Sequence, residues 1–286
     1  MKTILFRLHI GILLSLTLLG CAGSRFVPDE LSGDVTWSGV VHVRGDVIVD
    51  ASSRLLIEPG TEVVFHPPGE AAQNDNHPRF PGSELIVQGE IIAEGNAAKP
   101  IVFRYADPAA PAGSWGGINL ESSRHASFSY CYFFQADSAI HSQESTVGVS
   151  QSIFRNNLVA IRFHSSRIVI ENNVISGNGS GVRFHFGQPV IRNNRIVGNN
   201  KGFFITSHPS DYLIVDNTIA DNDWNVVLGE EVPEDVVMTG NYWGETDPEV
   251  IQEFFFDGQV ESYIGRVLVE PFLTDPPAKS GTSWNR

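Results

Sequence analysis

Five segments between about Val147 and Trp243 repeat one another: VGVSQSIFRNN, IVIENNVISGN, PVIRNNRIVGN, LIVDNTIADN and VVMTGNYWG. Aligned on the polar residue before the second apolar pair, Ser152, Asn173, Asn194, Asn217 and Asn241 form a column with steps of 21, 21, 23 and 24 residues. A second column follows five residues later, at Asn157, Asn178, Asn199 and Asn222. Each of the first four segments is trailed by an alternating apolar strand: VAIRFH, SGVRFH, KGFFIT and WNVVLG. A unit this short cannot bury its apolar face alone, so copies must stack into a solenoid.

The period holds two or three short strands and no helical pattern, which fits one coil of a parallel β-helix. Ile170, Ile175, Val182 and Phe184 alternate with polar neighbours, and the next coil places Ile191, Ile196, Phe203 and Ile205 over them. The recurrent Asn falls at the corners, where the chain must enter the left-handed region that Asn tolerates. Its amide can also bond the equivalent amide one coil away. A group repeated in every coil is what a stack needs and a single catalytic site does not. Asn173, Asn194, Asn217 and Asn241 are therefore read as a structural ladder.

The segments IVIENNVISGN and PVIRNNRIVGN resemble the right-handed parallel β-helix repeat family, often described as carbohydrate-binding and sugar-hydrolase modules. RLLIEPGTEVVF, ELIVQGEIIAEG, PIVF and WGGINL resemble the N-terminal coils of bacterial envelope members. NYWG and VLVEPFLTDPP resemble their C-terminal closure. The resemblance implies an all-β, single-domain right-handed parallel β-helix of roughly nine coils over residues 35–243. It does not imply one activity, since folds host many.

Ahead of the coils, Lys2 and Arg7 precede the apolar run IGILLSLTLLG, which reads as a signal peptide over residues 1–20. Its end, Leu18-Leu19-Gly20-Cys21, resembles a bacterial lipoprotein cleavage box. That implies a mature chain lipidated at Cys21, tethered through residues 21–34 in the bacterial cell envelope. Ala22 after the cysteine favours the outer membrane where a host has two. With Cys21 lipidated, Cys131 is the one remaining thiol and no internal disulfide is available; it falls in the ladder column as a small apolar filler.

The net charge is −14, and leader removal takes Lys2 and Arg7 but no acid. So acidic a chain is a poor general partner for nucleic acid or anionic surfaces. Beyond the coils, Asp247-Pro248 reads as a helix N-cap with Pro at the first position, and Val250, Ile251, Phe254 and Phe255 fall on one helical face. Residues 244–276 are thus expected to cap the stack through a short helix. Residues 277–286 are expected as a mobile tail.

Chemistry is sought in the outward columns, where residues one period apart stand about 4.8 Å apart. Adjacent coils stack no pair of carboxylates, as a retaining glycosidase or a calcium-assisted lyase would require. In the projecting loop 66–82, His66, Asp75 and His77 match no metal-ligand spacing, and no cofactor is expected. One face stands out. Its outward columns read Asn119, His141, Arg162, Arg183, Phe204 and Glu121, Gln143, His164, His185, Thr206. Arg162, Arg183, His141, His164 and His185 thus gather on one flat surface of an acidic chain, a chemistry suited to carboxylate or sulfate groups of a linear polysaccharide. The alternative is a solvated surface with the arginines paired to loop acids. The expectation is a non-catalytic module binding a polysaccharide or envelope partner. A lyase or epimerase with His164 or His185 as base is the enzymatic alternative, and a purely structural envelope lipoprotein is the third. The oligomeric state is left open.

Overall fold

A computed structural model describes residues 26–69 and 80–285; the expected signal peptide, Cys21, Asp75 and His77 lie outside these residues. The chain winds as a three-sided stack of parallel coils. Face 1 has ten strands, and faces 2 and 3 have eight each. A representative coil runs Val159–His164 on face 1, Arg167–Glu171 on face 2 and Val174–Ser176 on face 3. Every strand of a face pairs in parallel with its counterpart one coil away, as Ile161 with Val182 and Ile170 with Ile191. The stack is the all-β, roughly nine-coil solenoid expected from the repeats, with one short helix.

Like sits on like inside. Phe103, Phe133 and Phe154 form a stacked column at 4.8 and 4.6 Å, and Phe163 stacks on Phe184 at 4.8 Å. Ile170, Ile175, Val182, Ile191, Ile196, Phe203 and Ile205 are wholly buried. Each such side chain contributes about 1.5–3 kcal/mol relative to exposure. Cys131 joins this core, and burial pushes its thiol well above the usual range.

At the corner between faces 2 and 3, Asn173 Nδ2 donates to Asn194 Oδ1 (3.0 Å), Asn194 to Asn217 (2.9 Å) and Asn217 to Asn241 (2.9 Å). A parallel ladder runs through Asn157, Asn178, Asn199 and Asn222 between faces 3 and 1. The expected conformation of these asparagines needs correcting. The left-handed residue is the one before each ladder position: Asn156, Asn172, Asn193, Asp216 and Asp221, with Gly177, Gly198 and Gly240 in the same role. The doublet divides the work. The first residue turns the chain, and the second points inward, where its carboxamide bonds the coils on either side.

Three boundaries differ from expectation. Phe26 already bridges His42, and Glu30–Leu31 and Asp34–Trp37 are strands, so the first coil begins within the segment read as a tether. The capping helix spans only Pro248–Gln252, with Asp247 accepting from the Glu249 N–H. Ile251 is buried in it, but Phe255–Phe256 is a strand that pairs with Val226–Val227 and extends face 1. Of the four apolar residues at helical spacing, Val250 and Ile251 thus fall in the helix, Phe254 in the following turn and Phe255 in the sheet edge, because pairing with an open strand end satisfies the backbone too. The tail does not hang free. Gly281 N bonds Asn193 O, Ser280 Oγ bonds Asn194 O, and Trp284 Nε1 bonds Gln151 O, which straps residues 277–285 back along the outer corner of faces 2 and 3.

Candidate functional site

The pairing on face 1 sets Asn119 beside His141, His141 beside Arg162, Arg162 beside Arg183, and Arg183 beside Phe204. The second column stacks Glu121, Gln143, His164 and His185. Here a register shift after Phe184 puts Ser207, not the expected Thr206, opposite His185. Thr206 stays close: its hydroxyl donates to Phe184 O (2.8 Å), and its oxygen lies 3.3 Å from His185 Nδ1.

These outward residues divide into two groups. His141, expected on the exposed ligand surface, is only 8% exposed, and Asn119 is fully buried. They belong to a polar chain that begins at Glu84, a carboxylate 1% exposed. Glu84 accepts from Phe80 N–H (2.8 Å) and from Asn119 Nδ2 (2.9 Å). A carboxylate only accepts, so Asn119 must turn its amide nitrogen to Glu84 and its oxygen to His141 Nδ1, 2.9 Å away. That arrangement places a proton on His141 Nδ1. Gly116 makes room for it, since a Cβ there would stand 2.4 Å from Glu84 Cγ. Phe80 covers the assembly with its ring edge-on to His141 at 5.1 Å. His141 is thus a packed member of the scaffold, which corrects its assignment to the ligand surface.

Arg162, His164, Arg183 and His185 remain at the surface, each half-buried. Arg162 lies over the Phe80 ring (5.1 Å) and Arg183 over Phe204 (4.8 Å), with Lys201 beside the same ring (5.7 Å). Each guanidinium group is thus held near an aromatic face by a cation–π contact. Among the described residues neither arginine has a carboxylate within 4.0 Å. Asp137 is the acid whose charge acts on both arginines. Burial raises its carboxyl above the ordinary value, against the lowering influence of Arg162 and Arg183. Burial likewise lowers both guanidinium groups, Arg162 being further lowered by Arg183, while Asp137 opposes the shift. Both stay charged at neutral pH. Two like charges on adjacent coils without an ion-paired carboxylate are an arrangement whose chemistry can accommodate an added anion.

The histidines form the other edge. The His164 and His185 rings stack at 5.1 Å and 13°. Glu231 stands 3.8 Å from His185 Nε2, an ion pair only when that ring is protonated. Phe186 lies edge-on to His185 at 4.5 Å. It is 48% exposed and has φ +57°, a left-handed position that earlier coils fill with Ser122, Glu144 and Ser165. Phe186 is thus the one bulky aromatic ring among these four corner residues. Arg162, Arg183, His185 and Thr206 line a shallow depression of about 230 Å³. Phe80, Glu84, Asp137 and Phe186 were missed by column reading. Phe186 was legible as the odd member of its corner column; Glu84 was not, because its coil precedes the regular repeats.

The fold and this face define the chain as a parallel β-helix protein with a cationic outer surface. Residues 112–242 match the family described as right handed beta helix region, so the solenoid is a right-handed one. No curated protein and no solved structure proved similar to the chain.

Proposed function

We propose that this protein is a lipid-anchored β-helix module of the bacterial cell envelope that binds an anionic polysaccharide without transforming it. The carrying observation is the Arg162–Arg183 pair on adjacent coils, half-buried, each set over an aromatic ring and without a carboxylate at ion-pair distance among the described residues. Bidentate guanidinium groups suit carboxylate and sulfate, and His185, Thr206 and the exposed Phe186 ring extend the contact for a sugar face. The leader and Cys21 support anchoring, in the outer membrane where the host has one.

The test measures retention of the chain from Ala22 onward, which keeps every residue of the described fold, on neutral and anionic polysaccharides. Retention on an anionic polymer should fall at least tenfold in Arg162→Ala/Arg183→Ala, the loss of two charge-assisted contacts. Equal retention of both proteins on every polymer would remove the face as a glycan site. Product release that disappears in His164→Ala or His185→Ala would instead establish the lyase or epimerase reading.

A further inference from the structure

A second cationic cluster lies near the N-terminal end of the stack, on face 3 of the first coils. His42 and Arg44 project from strand Val40–Arg44, His66 from Glu62–His66 and Arg104 from Ile101–Tyr105. His42 Nδ1 and His66 Nε2 are 2.9 Å apart. Phe26 sits edge-on to both rings, at 6.3 and 5.1 Å, and carries the Arg44 guanidinium 3.8 Å above its own face. Arg104 is held by Glu62 and by the carbonyls of Tyr105 (2.9 Å) and Ala106 (3.2 Å). Glu62 is the acid facing the cluster from these strands, with Asp46 at the following corner. The His66 ring is pulled below its ordinary value by burial first, then by His42, Arg44 and Arg104. All four influences disfavour a further proton on His66, and among the described residues the cluster contains the ion pair of Arg104 with Glu62. In a chain of net charge −14 such a concentration is local and specific.

We propose that His42, Arg44, His66 and Arg104 form a binding site for the phosphate of an anionic membrane lipid, which seats the first coil on the bilayer. This rests on the reading of Cys21 as the lipidated residue. Cys21 lies five residues before Phe26, and at roughly 3.4 Å per residue the cluster is within ~17 Å of the anchor. An anchored protein this acidic is repelled by an anionic leaflet, so the end nearest the bilayer must carry the compensating charge. The exposed Val40 on the same strand and the Phe26 ring supply an apolar rim. A bound phosphate adds negative charge and favours a proton on His66, whose ring is otherwise held below its ordinary value by burial and the neighbouring cations. Binding therefore tightens as pH falls and His66 takes up that proton.

The experiment uses the unlipidated chain from Ala22 and vesicles of phosphatidylcholine with or without phosphatidylglycerol, separated by flotation above and below the histidine range. The site requires preferential binding to phosphatidylglycerol, stronger at the lower pH. Arg44→Gln/His66→Gln should weaken it about fivefold per positive charge removed, while Arg44→Lys retains it and circular dichroism shows both variants folded. Arg162→Ala/Arg183→Ala should bind vesicles as the unaltered chain does, which separates this site from the glycan face. No preference for phosphatidylglycerol, or equal binding by the double variant, overturns the proposal. Inorganic phosphate shifting the His42 and His66 ring signals while vesicles are ignored overturns the lipid as its source. The mass of the mature N-terminus reads lipidation independently, and an unmodified Cys21 overturns the anchoring reading whatever the vesicles show.

Discussion

Adjacent asparagines in this chain have opposite duties, and substitution should expose the difference. Asn172 holds φ +57°, and its side chain makes no contact that the ladder depends on. Asn173 accepts from Ser152 N–H (2.8 Å) and donates to Val149 O and Asn194 Oδ1 (both 3.0 Å). Glycine accepts the left-handed corner without strain. Asn172→Gly is therefore expected to change stability by no more than about 0.5 kcal/mol. Asn173→Gly leaves a buried N–H and a buried carbonyl without partners and should cost about 2–4 kcal/mol. Urea midpoints of the two variants measure the contrast. Equal losses would mean that the corner conformation, not the ladder, carries the stability.

At the scale of elements, the molecule closes its two ends differently. The C-terminal end is covered by the Pro248–Gln252 turn of helix, the Phe255–Phe256 strand and the pairing of Val236–Val237 with Val267–Leu268. From there the tail returns over several coils. Trp284 packs against Tyr130 (5.8 Å) and Tyr132 (5.3 Å), and Asn285 Nδ2 reaches Tyr132 Oη (3.0 Å). Ending the chain after Pro277 removes these contacts but no strand of the three faces. Its effect should be local: faster hydrogen exchange around Tyr130, Gln151 and Asn193, with the distant first coils unchanged. Unaltered exchange at those positions would show that the tail does not clasp the stack in solution.

Across the whole molecule, each coil contacts only its neighbours, so charge and shape vary along the axis without disturbing the core. The strand carrying Arg162 lies five pairings beyond Glu30–Leu31 on face 1, which places the arginine face ~24 Å from the first coil at 4.8 Å per strand. On the proposed reading of an anchor at the first coil, that separation would hold the arginine face clear of a membrane surface. Because the chain as a whole is acidic, long-range electrostatics oppose an anionic polymer, and on the proposed reading the arginine face supplies the local attraction along this side of the stack. Retention should weaken as salt rises from low to physiological ionic strength, because the half-exposed pair is screened. Retention that is indifferent to salt would mean that apolar stacking on Phe186 and Phe204, not charge, holds the polymer.

The repeat alone determined the coil length, the inward residues and the like-on-like packing, because a solenoid writes its tertiary contacts into its period. The outward columns on face 1 followed from the same count, and Arg162, Arg183, His164 and His185 stand in the predicted order. Only the tertiary structure decided which of those outward residues reach solvent. His141 shares its column with Arg162, yet Phe80, contributed by a loop outside the repeat, covers it, and Glu84 ties it through Asn119 into the scaffold. The His42–His66 cluster was equally hidden. Its partners are separated by 24 residues of coils whose lengths are irregular, so no column could be drawn before the strands were paired. The same holds for the ends: whether an apolar run becomes helix, sheet edge or strap depends on which backbone groups the last coil leaves unpaired, and periodicity carries no record of that.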